Sequence, residues 1–565
     1  MAIIAIQSKR KKQLHYMTAQ FKPKHLYILL AVCFSHLAHS QDILWEKSYG
    51  GKHAEHLFDA QPTPDYGFIL AGSSLSNKTG NKKDDGQGSL DYWIWKMDEH
   101  GEEDWQKSFG GSGSDLLQSI RLTKDGGFIL AGTSDSDPST QKRDSCRGKE
   151  DWWVIKLDAK GGEQWQRTIG GPGQELLQSV FPTKDGGYLL GGSSSSGKSR
   201  LLRKGMPDAL GKSEENFGNL DFWAVKLDKD GKIEWQKAIG GQYADQLRSA
   251  IQTRDGGYLL GGYSNSPESG NKTEKCYGNG DYLVVKLDKD GAVEWQKVYG
   301  GDGDDQLYVL HEAYDGNYLL AGNSNSGTSG NKNASAKNGT DFWVLKIKPD
   351  GEILWQETYD FGKADLLTSL VENDDHSLLL GGYAQSESPL TPKGGTVKMA
   401  KKDPEGINDY IAVKVDENGE QKWVQTVGSS GEDILKKAVE TRDGGYLLAG
   451  TSKGAISRDR NTSKGGNDFW VVKLKDKDKK KEKKKYIEAF PNPTGQFTNV
   501  IVGYDFEGGT GYVYDLAGRQ LQTFAVKDRT VPVDLGSLPE GIYLITIKTE
   551  VQEDTVKVMK SLNKK

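Results

Sequence analysis

Between residues 43 and 475 the chain repeats one pattern of apolar and polar positions. In the copy that starts at Gln246, QLRSAIQT alternates polar and apolar residues as a half-buried strand does, and RDG turns it. GYLLGGYS then reads as a second, more continuously apolar strand. A loop rich in Ser, Asn and Gly, NSPESGNKTEKCYGNG, leads to a third strand, DYLVVKLD, and the turn KDG leads to a fourth, AVEWQKVYGG. No helical periodicity interrupts these short strands. An anchor Trp recurs at 45, 105, 165, 235, 295, 355 and 423, and an anchor Asp at 91, 151, 221, 281, 341, 409 and 468, which defines seven units.

Four short strands in roughly 60 residues, joined by tight turns, is the pattern of a propeller blade. The sequence therefore predicts an all-β chain: a seven-bladed β-propeller over 41–474, with a smaller β-domain behind it. The ends of the repeat are offset. The chain enters it on a fourth strand, ILWEKSYGG (43–51), and leaves after a third, DFWVVKLK (468–475). Pairing 43–49 with 468–474 completes the seventh blade and removes the open edge that an unclosed array would expose. In up-and-down blades the DGG turns and the DxxG turns share one face, which is short and uniform. The Gly-Gly crossovers and the long loops share the other, where the third unit carries about ten extra residues within 193–220. Variable loops on a rigid frame are where binding usually sits, so ligand binding is expected on that second face.

Composition supports strands and turns, with 71 Gly, 14 Trp and 35% apolar residues. A net charge of −5 argues against a nucleic-acid partner. The N-terminus reads as an export signal over 1–40: basic residues, an apolar stretch from Leu26 to Leu37, and the small-residue site Ala38-His39-Ser40, with Met17 as an alternative start. A lipoprotein reading through Cys33 is weaker, because Val32 is bulky for its place. No segment of the mature chain has the length of a transmembrane helix. Cys146 and Cys276 occupy equivalent places in non-adjacent units, so two free thiols are expected rather than a disulfide.

After Lys473 the composition changes to LKDKDKKKEKKK, and 475–485 reads as a solvated, Lys-rich linker. Beyond it, 486–565 has its own alternating strands and Gly/Pro turns. The motifs here are Pro491-Asn492-Pro493, then Asp515-Leu516-Ala517-Gly518-Arg519, then Leu538-Pro539-Glu540-Gly541-Ile542-Tyr543-Leu544, and finally DTVKVMK ending at Lys560. In order and spacing this segment resembles the C-terminal (type A) sorting domain of type IX secretion substrates. The resemblance implies an immunoglobulin-like β-sandwich, the secretion machinery as partner, and passage through the periplasm to the outer-membrane surface or the medium. It also implies tail cleavage, followed by attachment to surface lipopolysaccharide or release. The sorting-signal residues it implies are Pro491, Asn492, Pro493, Asp515, Gly518, Arg519, Leu538, Pro539, Gly541, Tyr543 and Lys560. The repeat itself resembles propeller-like repeats of secreted proteins from the same bacteria, which bring no activity with them.

One chemical feature repeats in every unit: a carboxylate at the crossover into the first strand, at Glu55, Asp115, Glu175, Asp245, Asp305, Asp365 and Asp433. An acidic ring at one mouth of the channel could take a hard cation. Alternatively, each carboxylate accepts the N–H groups of its own Gly-Gly turn. The repeated third-strand lysines (Lys96, Lys156, Lys226, Lys286, Lys346, Lys414 and Lys473) are expected to pair with carboxylates or snorkel, and the tryptophans to fill gaps between blades. There is no HExxH, GxSxG, Walker-like or Rossmann-like motif, and no cofactor is expected. The reading is a secreted or surface β-propeller that binds a glycan or protein, more an interaction protein than an enzyme. A glycoside hydrolase or lyase on a propeller scaffold is the alternative, and a purely structural envelope protein the second.

Overall fold

Each repeat folds as its pattern dictates. The computed structural model describes residues 41–139, 141–199, 210–334, 336, 339–385, 408–477 and 486–561. The expected leader (1–40), the added stretch at 200–209 and most of the Lys-rich linker (478–485) lie outside them.

Seven four-stranded antiparallel sheets form the blades. Six use consecutive strands; blade one, for example, runs Glu55–Pro62, Phe68–Ser74, Asp91–Met97 and Glu103–Phe109. The seventh takes Asp433–Glu440, Gly445–Ser452 and Asp468–Lys475 and is completed by the N-terminal strand Asp42–Tyr49. The closing register runs from Asp42 opposite Lys475 to Tyr49 opposite Phe469. First strands touch one another all the way round, that of blade seven meeting that of blade one, so they line the axis.

The apolar core lies between blades rather than within them. Each of seven buried clusters is shared by two neighbours. Between blades four and five, Leu259, Tyr282 and Val284 pack against Leu307, Leu320 and Trp343, and the Tyr282 hydroxyl donates to the Trp343 carbonyl at 3.1 Å. A sheet with two apolar faces can bury both only by stacking against sheets on either side, and closure extends this to every blade. The fourth-strand tryptophans fill the outer part of the same gaps. Trp105 meets Phe128 edge-on, Trp165 meets Tyr188 and Trp235 meets Tyr258, with ring centroids 5.2–5.9 Å apart.

The DGG turns owe their recurrence to geometry and charge. The first glycine is left-handed in five blades, with φ of 82–90° from Gly126 to Gly444, while Tyr66 and His376 hold that conformation in blades one and six. A Cβ on the second glycine would come within about 2.2–2.4 Å of a main-chain carbonyl, as at Gly127, Gly187 and Gly257. The turn's Asp receives the third-strand lysine, buried in every case but the half-buried Lys346: Lys96 on Asp65, Lys156 on Asp125, Lys226 on Asp185, Lys286 on Asp255, Lys346 on Asp315 and Lys473 on Asp443, all at 2.7–2.9 Å. Lys414 instead takes Asp476 at 3.0 Å, with Asp375 at 3.8 Å. Six of the lysines thus tie the turn after the first strand to the third strand of their own blade, and Lys414 ties blade six to the end of blade seven.

The tail forms two sheets, one of three strands and one of four, closed over Val500, Val513, Val533, Ile545 and Val558 as an immunoglobulin-like sandwich. Several motif residues hold it together. Lys560 is buried and its ammonium donates to the carbonyls of Leu535, Gly536 and Leu538. Asn492 bonds the main chain at Lys557 and Met559, and the Tyr543 hydroxyl donates to the Pro539 carbonyl. Asp515 accepts the N–H groups of Ala517 and Arg519 and pairs with the exposed Arg519 side chain, with Gly518 left-handed at the turn. Pro491 and Pro493 flank Asn492, Leu538 packs against the tail core, and Gly541 starts the strand that carries Tyr543.

Candidate functional site

The seven repeated carboxylates turn into their own blades. All are fully buried, and six accept an N–H from their crossover turn: Glu55 from Gly51, Asp115 from Gly111, Glu175 from Gly171, Asp245 from Gly241, Asp305 from Gly301 and Asp433 from Ser429. Asp365 accepts from Phe361 and Gly362. Six of the seven also face the anchor Asp of the preceding blade across a glycine. A Cβ on Gly110, Gly170, Gly240, Gly300 or Gly428 would come within about 1.7–2.1 Å of that anchor's Oδ1. At the Asp221/Asp245 and Asp281/Asp305 junctions, both Oδ1 atoms are buried with no hydrogen-bond partner.

Two facing acids cannot both ionise cheaply, which favours one proton shared between them. Burial, reinforced by the facing carboxylate, pushes Asp91 and Asp221 up to about 6 and Asp151 and Asp281 up to about 7. The folded chain therefore holds protons that the unfolded chain releases near pH 4. The stability they confer is complete below that pH and is lost as pH rises through 6 to 7. We expect the melting temperature to fall between pH 5 and 8. Asp281→Asn, whose amide can donate to Asp305, should flatten that slope, since each tenfold change in proton affinity is worth about 1.4 kcal/mol. Melts across this pH range check it, and an unchanged slope would count against the shared proton.

The asymmetry lies on the axis. Every first strand carries a β-bulge three residues after its repeated carboxylate, and the unpaired residues are Phe58, Gln118, Gln178, Arg248, Tyr308, Thr368 and Lys436. A bulge re-aims its side chain out of the ladder. One residue per blade is re-aimed in this way, and the seven positions carry six residue types, Gln recurring in blades two and three. The Arg248 guanidinium lies 5.4 Å from the Tyr308 ring centre and the Lys436 ammonium 5.7 Å from that of Phe58. Lys436 and Arg248 come from blades seven and four, yet they feel each other: burial and then the Arg248 charge hold the Lys436 ammonium below its usual range. Burial, then Lys436, does the same to His56. Arg248 donates to Gln246 but its buried Nε has no partner, and among the described residues neither cation pairs with a carboxylate. The acid beside the ring, Asp59, is already taken. Burial alone would raise it, but Arg121 and Lys437 outweigh that and hold it below the usual carboxylate range.

Beside these strands lies a cavity of about 830 Å³, lined by first-strand ends and turns that include His311, Leu370, Glu372, Lys437 and Arg442. This is the uniform DGG face, where the sequence had placed only frame; the variable face was expected to bind. The cavity's carboxylates are structurally engaged. Glu372 accepts the Tyr314 N–H and lies 3.0 Å from His311 Nε2, and Asp375 accepts the Ser377 N–H. The sorting domain rests on the rim of this face. Arg442 stacks on Tyr66 and pairs with Glu488 at 2.6 Å, Arg529 pairs with Glu99 at 3.0 Å, and Thr530 donates to Asp65 at 2.7 Å. The signal for the axial ring was present in the sequence: one position inside an otherwise consistent strand where the seven copies disagree. Cys146 and Cys276 are free thiols, as expected.

Residues 488–561 match the secretion system C-terminal sorting domain family. No curated protein matches the chain. Among solved structures, it is similar to the WD40 domain of Neurospora crassa Pan2 at 9% identity and TM-score 0.39, covering 78% of this chain and 98% of that one. It is similar to YCF48 bound to a D1 peptide at 9% identity and TM-score 0.37, with 78% and 97% covered. A mutant of the Synechocystis apocarotenoid oxygenase gives 12% identity and TM-score 0.35, with 77% and 94% covered. The chain is thus a β-propeller carrying a type IX secretion sorting domain, which addresses it to the secretion machinery and the cell surface or the medium. Among the described residues no helix is long and apolar enough to cross a membrane.

Proposed function

We propose that this exported propeller is a binding protein that takes a carboxylate-bearing ligand into its axial channel from the DGG face, working at the outer-membrane surface after attachment to lipopolysaccharide or in the medium after release. The observation that carries the reading is the pair Arg248 and Lys436. Two partly buried cations without carboxylate partners cost the fold free energy, and an anionic ligand removes that cost. Phe58 and Tyr308 flank the cations and offer apolar surface to the rest of a thin chain such as an acidic saccharide or peptide. Binding is favoured over glycoside hydrolysis because Glu372 at the mouth is taken up by the Tyr314 N–H and Asp375 by its own turn at Ser377.

Titration calorimetry of residues 41–565 with oligogalacturonate and with oligoglutamate, each beside a neutral counterpart, tests it. One of the two acids is expected to bind, more weakly as salt rises, and Lys436→Gln or Arg248→Gln should weaken it by about tenfold or more. Equal binding of neutral and acidic chains, or no binding of either acid, would overturn the reading.

A further inference from the structure

Where the long loop between second and third strands rejoins its blade, the third and fourth units spell one tripeptide twice, Phe217-Gly218-Asn219 and Tyr277-Gly278-Asn279. No other unit has an aromatic residue at that first place, which holds Gln87, Arg147, Lys337, Glu405 and Lys464. Both copies are held alike. The Phe217 and Tyr277 N–H groups donate to Asp221 and Asp281 at 2.6 Å. The Asn219 and Asn279 N–H groups donate to the crossover carbonyls of Tyr243 and Gly303, at 2.9 and 2.7 Å. A Cβ on Gly218 would come 2.1 Å from the Gly241 carbonyl oxygen, and one on Gly278 2.4 Å from that of Gly301, so the middle residue has to be glycine.

The side chains on either side of that glycine are available. Phe217 is 38% exposed and Tyr277 48%, and each leans on a glycine of the next blade, Gly270 or Gly330. Tyr243, whose carbonyl receives Asn219, adds a third ring at 46% exposure. With Tyr314 on the opposite face, these are the exposed aromatic side chains among the described residues of the propeller. Asn219 and Asn279 are exposed as well, and their amides have no hydrogen-bond partner among the described residues.

The chemistry of these groups selects the ligand. An aromatic ring takes the C–H face of a pyranose, and an amide, with one oxygen acceptor and two N–H donors, takes a pair of its hydroxyls. The segments 213–219, 273–279 and 301–304 carry Glu214, Glu215, Glu274, Asp302 and Asp304 against one cation, Lys275, so an anionic chain is repelled there. Two copies of one ring-and-amide pairing on neighbouring blades fit a ligand that itself repeats.

We propose that Phe217 with Asn219 and Tyr277 with Asn279 form two subsites for an uncharged oligosaccharide, on the loop face opposite the axial cavity, with Tyr243 beside the first. The backbone of both subsites is fixed in advance by the crossovers, which lowers the ordering cost of binding. The site depends on neither the axial cations nor export.

The test is calorimetry of residues 41–565 with cellohexaose, laminarihexaose, maltohexaose and mannohexaose, each beside its disaccharide. At least one hexaose is expected to bind, about tenfold or more tighter than its disaccharide because it spans both subsites, and without weakening as salt rises. Phe217→Ala and Tyr277→Ala should each weaken it by about tenfold and, the rings being exposed, leave the melting temperature unchanged. Asn219→Ala combined with Asn279→Ala, which keeps both rings, should weaken it by a similar factor. Lys436→Gln should leave it as it was, which separates this site from the axial one. Binding of none of the four hexaoses, unaltered binding when Phe217→Ala and Tyr277→Ala are combined, or a loss in Lys436→Gln would overturn the proposal.

Discussion

Deleting Asp42–Tyr49 is expected to lower the melting temperature by about 10 °C or more and to make the chain aggregate. The strand contributes on the order of 10 kcal/mol through a ladder of main-chain hydrogen bonds, one buried aromatic and its apolar surroundings. In a propeller of this length that corresponds to roughly 10 °C. The named losses are specific. Tyr49 sits in the core between blades seven and one, and its hydroxyl donates to the Gly101 carbonyl at 2.7 Å. Trp470 Nε1 donates to Glu46 at 2.7 Å, and Ser48 donates to the Thr462 carbonyl at the same distance. Without the strand, Asp468–Lys475 becomes an open edge ready to pair with another chain. Circular-dichroism melts and light scattering check this, and a synthetic peptide of residues 41–50 should restore much of the lost stability. Unchanged melting of the deleted chain would refute closure by this strand.

Removing 486–565 is expected to trap the protein in the periplasm, with surface and medium signal reduced by at least about tenfold, while the propeller stays folded. The seven inter-blade cores contain no tail residue, so the truncated chain should melt close to the parent. A failure of export can therefore be told apart from a failure to fold. A milder version is Lys560→Met, which leaves three carbonyls, that of buried Leu535 among them, without their donor and should loosen the sandwich by about 1–3 kcal/mol. Fractionation followed by immunoblotting measures both, and normal display of the truncated protein would sink the address. Because the tail's Glu488 holds Arg442 at the mouth of the axial cavity, the truncated propeller should bind axial ligands at least as tightly as the full chain.

Much of this architecture was legible because it is local and repeated. Alternation at positions such as QLRSAIQT, the glycines at DGG and the offset ends were enough for strands, turns, seven blades and the closing strand. Even the lysine at the end of each third strand could be read as paired, because a buried ammonium requires a carboxylate. The partner's identity could not: Asp255 lies some thirty residues before Lys286 in sequence, and only the hairpin brings them to 2.9 Å.

The site was less legible. Sequence alone offered the seven repeated carboxylates both as a cation ring and as acceptors for their own turns, and the structure buries them against those turns; it preferred the variable face, whereas the cavity opens on the uniform one. Chain order sets what each residue can do with its near neighbours, so periodicity, turn chemistry, blade number and export address follow from it directly. Which side chains converge from blades four and seven depends on ring closure and on a bulge that rotates one residue per strand. Distances across an axis are set by how seven sheets pack, and no local pattern encodes them.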